Sequence, residues 1–535
     1  MNNNWPESAL AADAGENAVL APPPVRESLP KGAAVPLDPP TREEIEQEVQ
    51  ELMSQPGSFD ADVVVIGSGP GGYVASIRAA QLGGRVVCIE KAPSEWGGTC
   101  LNWGCIPTKT MIASAERYVH VKHADKLGVT ISGEVGYDFP KIMTRKDKVV
   151  STLRGGVEAL LKSNHVRKVV GTAKIAGKNS VEVTGPDGAK ETITTKNIII
   201  ATGSAPIMPP IPGLERAAGD ERGVSSNGIW TSDEAVKAPH VPKNLLVIGG
   251  GVVGCEFAYT FAALGSQVTV VEFMEEIIPL ADSDIAGELR KSLTRQGIKF
   301  NLATKVTKVE KTDAGYSVTV EGAKSGVIEC DTILVGVGRR ALLSEVGLDV
   351  VGIKTERGAI VCDEKMQTSV PGIYAIGDVV FGGFALAHVA SHQGVVAAEN
   401  CMGHESKMDY RAVPSPIFTN PEMATTGMSE KQAREAGYDV IVGKFPFRPL
   451  GKAMAIDEQE GSVKIVSERK YGEVLGVHIV GPHASDLIHE GVAAIKLEST
   501  IEELMTMIHA HPTLSEAILE AALDVKGEAI HKMRS

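Results

Sequence analysis

Apolar and polar residues along the chain are arranged in two blocks of similar order. From Ala61 a short apolar run (VVVIG) leads into a glycine cluster, a helical stretch through Leu82 and a second apolar run, RVVCIE. The same order recurs from Asn244, with LLVIG, a glycine cluster, a helical stretch through Leu264 and QVTVVE. Short apolar runs bounded by turn residues are typical of buried strands. The pattern therefore predicts two strand-helix-strand units of one design.

Segments typical of antiparallel strands follow each unit. The first, GKNSVEVTGPDGAKETITTKNIIIATG, predicts strands joined by a Pro-Asp-Gly turn and ends in a buried strand at Ile198 to Ala201. After the second unit, YSVTVEG and VIECDTILVGVGR repeat that arrangement. From about Arg411 the runs GSVKIVSE and GEVLGVHIVG, followed by helical stretches, predict a separate α+β domain.

Residues 1–58 differ in composition from the rest of the chain. They hold nine of the 29 prolines, and we expect most of this extension to be disordered. Within it, residues 41–53 (TREEIEQEVQELM) combine a Thr N-cap, an acidic first turn and apolar residues at helical spacing, which predicts a short amphipathic helix. Two interpretations of the extension stay open: a solvated linker and a docking segment for a partner.

Charge and cysteine content narrow the range of functions. The formal net charge is −14, which argues against binding to nucleic acid or to an anionic membrane surface. The most membrane-like stretch, Leu245 to Val271, is interrupted by Glu256 and by the glycines at 249, 250, 251 and 254, which favours a buried strand and helix over a membrane span. Seven cysteines in 535 residues do not suggest a secreted disulfide framework, and we expect a cytoplasmic protein.

The first glycine cluster, GSGPGG, places Gly67, Gly69 and Gly72 between strand and helix. Glycines at these points allow a sharp turn, a close approach of the backbone to a pyrophosphate and close packing of helix on strand. The N-terminus of the helix then presents unpaired N–H groups to the phosphates. Glu90 ends the next strand, where its carboxylate can accept hydrogen bonds from ribose hydroxyls.

The second cluster repeats this design with Gly249, Gly251 and Gly254. Glu272 follows Gly249 by 23 residues, the interval also found in the first unit. Two such units predict two bound dinucleotides. Because a carboxylate pairs with a ribose 2′-hydroxyl and repels a 2′-phosphate, Glu272 favours NAD over NADP.

Two cysteines, Cys100 and Cys105, lie in GGTCLNWGCIPTK, before a helix that Pro107 can open. A disulfide between them would close a very small loop and contribute little to stability, which favours a redox role. A structural role stays open from spacing alone. Two cysteines without nearby histidines are too few for a zinc site, and we predict no metal.

Near the carboxyl terminus, HAHPTLSE places His511 and Glu516 around a turn that we expect to lead into a helix from about Thr513. A histidine oriented by a carboxylate is a typical general base. His509 is a competing candidate, and a structural role for either histidine stays open.

These motifs, together with IIIATGS and TSVPGIYAIGD, resemble those of the class I pyridine-nucleotide disulfide oxidoreductases from about Asp60 to the end of the chain. The resemblance implies an α/β fold with two Rossmann-like dinucleotide-binding domains and a C-terminal α+β dimerisation domain. The implied divisions are an FAD-binding domain formed by 59–208 and 341–411, an NAD-binding domain at 209–340, and an interface domain at 412–535 in a homodimer.

Family roles carry over to the matching positions. The resemblance makes Cys105 the thiol next to the flavin and Cys100 the thiol that exchanges with substrate, while His511 and Glu516 act on the disulfide of the other subunit. The remaining residues that it assigns to cofactor binding are Lys109 with its partner Glu256, Thr202, Gly203, Gly338, Asp378, Ala387 and His388. Trp103 departs from the small or aliphatic residue more usual in the family.

The resemblance is to the members that oxidise dihydrolipoamide, and it implies electron transfer through the cysteine pair and FAD to NAD. The implied partners are the lipoyl domains and core acyltransferase of 2-oxoacid dehydrogenase complexes. A glutathione-type reductase is the alternative enzyme, which Glu272 argues against because that activity usually uses NADPH. An alternative of another class is a docking component that acts through residues 1–58.

Overall fold

The computed structural model describes residues 59–215 and 227–533. The helix predicted at 41–53 and the rest of the extension at 1–58 lie outside the described residues. Among the helices that are described, none is long and apolar enough to cross a membrane.

The first unit forms a parallel sheet that continues into an antiparallel hairpin. Its elements are β1 (Ala61–Ile66), α1 (Pro70–Gln81), β2 (Val86–Glu90), α2 (Gly98–Asn102), α3 (Cys105–Lys122), α4 (Phe139–Ser163), β3 (Arg167–Val170), β4 (Thr172–Gly177), β5 (Ser180–Thr184), β6 (Lys190–Ile200) and β7 (Ser204–Pro206). The strand order is β3-β2-β1-β6-β5-β4. Val65 pairs with Cys88 on one side and Ile199 on the other, so the strand before the first glycine cluster lies inside the sheet.

The second unit repeats the parallel arrangement. Its elements are β8 (Ile229–Trp230), α5 (Ser232–Ala235), β9 (Asn244–Ile248), α6 (Val252–Ala263), β10 (Gln267–Val271), α7 (Ser283–Arg295), β11 (Lys299–Asn301), β12 (Thr304–Thr312), β13 (Gly315–Gly322), β14 (Gly326–Cys330), β15 (Thr332–Val335) and β16 (Arg339–Ala341). A five-stranded parallel sheet has the order β11-β10-β9-β15-β8, and β12-β13-β14 form a separate antiparallel sheet. The two predicted strand-helix-strand units are confirmed.

The chain then returns to the first unit. This segment contains α8 (Leu348–Val351), β17 (Thr355–Glu356), β18 (Ala359–Ile360), β19 (Ile373–Ala375) and α9 (Ala387–Cys401). Strand β19 pairs in parallel with β6, which adds it to the first sheet. Helix α9 packs closely against α1. A Cβ at Gly394 would lie only 2.5 Å from the Gly71 carbonyl oxygen, so the close approach requires glycine there.

The C-terminal part forms an antiparallel sheet with helices on it. Its elements are β20 (Ser415–Ile417), β21 (Glu422–Gly427), α10 (Glu430–Glu435), β22 (Val440–Pro446), α11 (Gly451–Ala455), β23 (Ser462–Glu468), β24 (Val474–Gly481), α12 (Ala484–Lys496), α13 (Ile501–Thr506) and α14 (Glu516–Val525). The strand order is β20-β21-β24-β23-β22. Helix α14 begins at Glu516, three residues after the expected start near Thr513, and the Thr513 N–H donates a hydrogen bond to the Glu516 carboxylate.

A buried lysine joins the C-terminal sheet to the second unit. Lys464 on β23 has a side chain that is only 2% exposed. Its Nζ lies 2.9 Å from an oxygen of Asp282, 2.8 Å from one of Asp284 and 2.9 Å from one of Glu430. Asp282 also caps helix α7. The two parts are therefore held by ionic contacts as well as by apolar packing.

Candidate active site

Both glycine turns have the geometry that a phosphate-binding turn requires. Gly67 and Gly249 have left-handed backbone conformations, with φ of +103° and +105°. At Gly72 and Gly254, a Cβ would lie only 1.9 Å from the carbonyl oxygen of the first glycine in the same cluster. By contrast, a Cβ on Gly251 would meet no protein atom within 4 Å. The first and third glycines are therefore required by the fold, whereas the middle glycine faces free space.

The middle glycines precede two open helix N-termini. Gly69 is the N-cap of α1 and Gly251 is the N-cap of α6, and neither helix has a side-chain cap. The atom nearest to a Cβ on Gly69 would be the Gly98 Cα, at 3.9 Å. Free N–H groups with space in front of them favour an anionic group. Both turns therefore fit the pyrophosphate of a dinucleotide.

Glu90 and Glu272 lie in equivalent positions and make equivalent contacts. Glu90 accepts a hydrogen bond from the Ser68 N–H at 2.9 Å, and Glu272 accepts one from the Gly250 N–H at 2.5 Å. Both side chains are buried, with 8% of each residue exposed. Burial raises the pKa of Glu90, although the hydrogen bonds from Ser68 oppose this shift. Each carboxylate thus supports its own glycine turn as well as lying at the end of its strand.

A cavity of about 890 Å³ lies beside the second glycine turn. Its volume suits a large organic ligand. The predicted site residues that line it are Gly249, Gly251, Glu272 and Gly338. Phe384 and Tyr410 line it as well, and their ring centroids are 6.1 Å apart. The cavity was expected from the glycine turn, but nothing in the sequence indicated the two aromatic residues.

Asp378 belongs to a polar network near the start of β7. The Ser204 hydroxyl donates a hydrogen bond to Asp378, and Arg339 Nε donates to the Ser204 hydroxyl oxygen at 2.8 Å. Sequence analysis missed both Ser204 and Arg339. In the same region, the Thr202 hydroxyl donates to the Leu342 carbonyl oxygen at 2.8 Å, so its donor is already used within the protein.

Gly203 and the start of α9 complete the set of expected FAD contacts. Gly203 has φ of +70°, and its carbonyl oxygen accepts the Leu342 N–H at 2.9 Å. Ala387 and His388 are the first two residues of α9. His388 Nε2 lies 2.8 Å from the Pro414 carbonyl oxygen. Desolvation lowers the pKa of His388, which favours the neutral ring at pH 7.

The two cysteines of the GGTCLNWGCIPTK motif lie side by side as free thiols. Cys105 is the first residue of α3, and Cys100 is in the short helix α2. The neighbouring Cys100 thiol lowers the pKa of Cys105, and Lys109, one turn further along α3, lowers it as well. The interaction with Cys105, together with burial, raises the pKa of Cys100. Cys105 is therefore the thiol favoured as the thiolate.

Lys109 and Glu256 form the ion pair that the resemblance implies. Lys109 Nζ lies 2.7 Å from each carboxylate oxygen of Glu256, which is 3% exposed. The Phe418 N–H donates to the same carboxylate at 3.0 Å, and Lys109 Nζ lies 4.6 Å from the centre of the Phe418 ring. The contact joins helix α3 of the first unit to α6 of the second. Sequence analysis missed Phe418, whose contact depends on a separate part of the chain.

Trp103 lies between the two cysteines in sequence, and it is buried at 8% exposure in an apolar cluster with Met111 and Tyr259. Its indole ring therefore contributes to packing beneath the motif. Trp103 is therefore not an exposed surface residue beside the thiols.

His511 and Glu516 are also brought together. His511 Nδ1 lies 2.9 Å from one carboxylate oxygen of Glu516, and the other oxygen accepts the Thr513 N–H at 2.8 Å. Burial favours a higher pKa for Glu516, but the bonds from Thr513 and His511 outweigh it and lower the pKa. The His511 side chain is 78% exposed in the protomer. Its ring contacts Glu516 and not a thiol of the same protomer.

The family assignment rests on matches that cover most of the chain. Residues 61–394 match the family described as pyridine nucleotide-disulphide oxidoreductase, and residues 413–522 match its dimerisation domain. The chain belongs to the pyridine nucleotide-disulphide oxidoreductase family. The α/β fold class predicted from the sequence is confirmed, as is the resemblance to this family.

Several members of this oxidoreductase family are similar over nearly their whole length. Dihydrolipoyl dehydrogenase, mitochondrial, from Pisum sativum is 43% identical, over 89% of this chain and 93% of the relative. Dihydrolipoyl dehydrogenase from Geobacillus stearothermophilus is 43% identical, over 89% of this chain and 98% of the relative. The crystal structure of LpdA from Mycobacterium tuberculosis aligns with a TM-score of 0.77 at 29% identity, covering 86% of this chain and 99% of that one.

Proposed function

We propose that the protein is a flavoprotein disulfide oxidoreductase that oxidises dihydrolipoamide and reduces NAD. The observation that carries the proposal is the pair of neighbouring free thiols, Cys100 in α2 and Cys105 at the start of α3, with Lys109 one turn further along α3. Such a pair can exchange with a dithiol substrate. Two similar proteins named dihydrolipoyl dehydrogenase support this substrate.

The first glycine turn and the residues around it are the proposed FAD site. Gly67, Gly69 and Gly72 would hold its pyrophosphate, and Glu90 its ribose. The further proposed FAD contacts are Lys109, Thr202, Gly203, Asp378, Ala387 and His388. FAD, when bound, supplies the two-electron chemistry that connects a dithiol with NAD.

The second glycine turn and its cavity are the proposed NAD site. Gly249, Gly251 and Gly254 would hold the pyrophosphate, and Gly338 would line the same cavity. Glu272 would accept the ribose hydroxyls, and its negative charge would disfavour the 2′-phosphate of NADP. The Lys109–Glu256 ion pair lies between the two proposed cofactor sites and fixes their helices to one another.

The protein's own residues move protons and exchange sulfur bonds. In the proposed reaction, His511 of the partner subunit, held by Glu516, accepts a thiol proton from dihydrolipoamide. The thiolate attacks the oxidised pair at Cys100 and releases Cys105 as a thiolate; the second substrate sulfur then displaces Cys100. The pair gains two electrons and lipoamide is released. Overall, dihydrolipoamide and NAD⁺ give lipoamide, NADH and one proton.

We propose the domain divisions that the resemblance implies: an FAD-binding domain at 59–208 and 341–411, an NAD-binding domain at 209–340 and an interface domain at 412–535. The dimerisation domain supports a homodimer. A homodimer would bring the exposed His511 to the thiol pair of the other subunit. The proposed electron donors are lipoyl domains held on the core acyltransferase of a 2-oxoacid dehydrogenase complex. We also propose a cytoplasmic location, from sequence alone; for residues 1–58, the solvated linker and the docking segment are both retained as interpretations of the sequence.

The test is steady-state turnover by the purified holoenzyme. Dihydrolipoamide with NAD should give NADH at a rate far above that with NADP. The Cys105→Ser variant should keep its bound flavin and lose this activity, because the sulfur that receives electrons is absent. Preferential reduction of glutathione disulfide by NADPH would contradict the proposal, as would full activity of Cys105→Ser.

A further inference from the structure

His509, the competing histidine in the HAHPTLSE motif, is buried and fully engaged. Only 4% of its side chain is exposed, against 78% for His511. Its Nε2 lies 2.9 Å from a carboxylate oxygen of Glu490, and its Nδ1 lies 3.1 Å from the Met507 carbonyl oxygen. Both ring nitrogens are therefore held by oxygen atoms of the protein, and neither is directed at a substrate.

His511 differs from His509 in the contacts of its ring nitrogens. Its Nδ1 contacts Glu516, which leaves Nε2 on an exposed ring as the proton acceptor. The motif therefore contains one histidine arranged for proton transfer and one arranged for anchoring.

The segment that carries His511 is fixed to two different helices. Before it, His509 binds Glu490 on α12. After it, the Thr513 N–H binds Glu516 on α14, and the Thr513 hydroxyl donates to the Ala510 carbonyl oxygen at 2.7 Å. In the protomer, residues 510–512 between these anchors are exposed, and so is Ile508 just before His509, at 97%. With little apolar packing of its own, this stretch depends on its polar anchors for a fixed position.

We propose that Glu490 and His509 are positioning residues, whose buried hydrogen bond sets the place of His511 relative to the thiol pair of the partner subunit. The proposal rests on the proposed function, in which His511 is the proton acceptor. A general base acts only within hydrogen-bond reach of its proton, so a displacement of about 1 Å can reduce the rate on the order of 100-fold. Glu516 orients the ring, whereas Glu490 and His509 would position the main chain.

The experiment compares Glu490→Ala and His509→Ala with His509→Gln in the holoenzyme. Glutamine keeps an N–H donor that can reach Glu490, so it should restore part of what alanine loses. Glu435→Ala is the matched control, because Glu435 lies in the same domain with a side chain that is 65% exposed. Two reactions are followed: oxidation of dihydrolipoamide by NAD, and oxidation of NADH by ferricyanide, which needs no thiol proton acceptor.

In the alanine variants, kcat for dihydrolipoamide should fall about 10- to 100-fold with little change in KM, while the ferricyanide reaction stays at the wild-type rate. Hydrogen–deuterium exchange should become faster in residues 507–515, with a small change elsewhere. His509→Gln should lie between the alanine variants and wild type. Glu435→Ala should match wild type in each measurement.

Equal losses in both reactions would overturn the proposal, because they would indicate general damage to the fold. Faster exchange in 507–515 with unchanged dihydrolipoamide turnover would overturn it as well. If wild-type protein shows the ferricyanide reaction but no dihydrolipoamide turnover, the proposed function fails. The exchange measurement would then still decide whether Glu490 anchors the segment.

Discussion

Lys109 and Glu256 form a two-pronged ion pair across the boundary between the two nucleotide-binding units, with Nζ 2.7 Å from both carboxylate oxygens. Glu256 is almost completely buried, and the Lys109 side chain is 31% exposed. The pair therefore combines a structural contact with a charge placed one helical turn from Cys105.

Replacing Lys109 by methionine should destabilise the fold. The carboxylate of Glu256 would remain buried and keep only the Phe418 N–H as a described partner. Breaking a buried pair costs about 3–5 kcal/mol, and the partial exposure of Lys109 reduces the expected loss to about 2–3 kcal/mol. Urea unfolding measures this change. The double variant Lys109→Met, Glu256→Gln should recover part of the loss; no recovery would show that the ion pair is not the cause.

Substitutions of different neighbours should shift the reactivity of Cys105 in opposite directions. Lys109 and the Cys100 thiol lower the pKa of Cys105, whereas Glu256 raises it. Lys109→Met and Cys100→Ala should therefore raise this pKa, and Glu256→Gln should lower it. The measurement is the pH dependence of alkylation by iodoacetamide in the reduced protein. Burial raises the pKa of the other five cysteines, which keeps their background reaction low.

Cofactor preference should depend on Glu272. Its buried carboxylate lines the cavity and would repel a 2′-phosphate, so Glu272→Gln should reduce the preference for NAD over NADP about 10-fold or more. The ratio of kcat/KM for the two cofactors measures this effect. Glu275→Gln, at an exposed position three residues along, serves as the control. An unchanged ratio in Glu272→Gln would contradict the assignment of this residue to the ribose.

Glu116, in helix α3, should make stability depend on pH. Burial, with the nearby charges of Glu422 and Glu458, raises the pKa of Glu116 to about 7; Arg117 opposes the shift. The folded state thus holds a proton that the unfolded state loses above about pH 4.5. Stability from this group is complete below about pH 4.5 and is lost as pH rises to about 7.

Glu116→Gln should remove that dependence. Relative to wild type, the variant should gain about 1–2 kcal/mol of unfolding free energy between pH 4.5 and pH 7.5, after allowance for solvent screening. Urea unfolding at four or five pH values measures the difference. A constant difference between the two proteins across this range would rule out Glu116 as the titrating group.

The sequence predicted those parts of the fold that depend on local patterns. Strands β1 and β9 contain the uninterrupted apolar runs VVVI and LLVI, and the glycines at 67 and 249 mark where these two strands end. The antiparallel pairing of β5 with β6 followed from the Pro-Asp-Gly turn. The short edge strands β7 and β16 gave no such signal, because each has only three residues and depends on its partner.

The candidate site was predictable where it rests on motifs and not where it rests on distant contacts. The cysteine pair and the His511–Glu516 pair are close in sequence, so spacing indicated them. The partner of His509 is Glu490, 19 residues away on another helix, and no local pattern connects the two. The same holds for Ser204 with Asp378, which are 174 residues apart. Such contacts arise only when the chain has folded.

Lys464 constrains how this protein can change by mutation. It contacts three acidic side chains from two parts of the chain, and a neutral replacement would leave the buried Asp282 carboxylate without this cation, whereas Asp284 and Glu430 are 59% and 30% exposed. A tolerated apolar version of this junction would need concerted replacement of the lysine and its acidic neighbours. Variation at these four positions should therefore be coupled across a collection of natural or selected sequences.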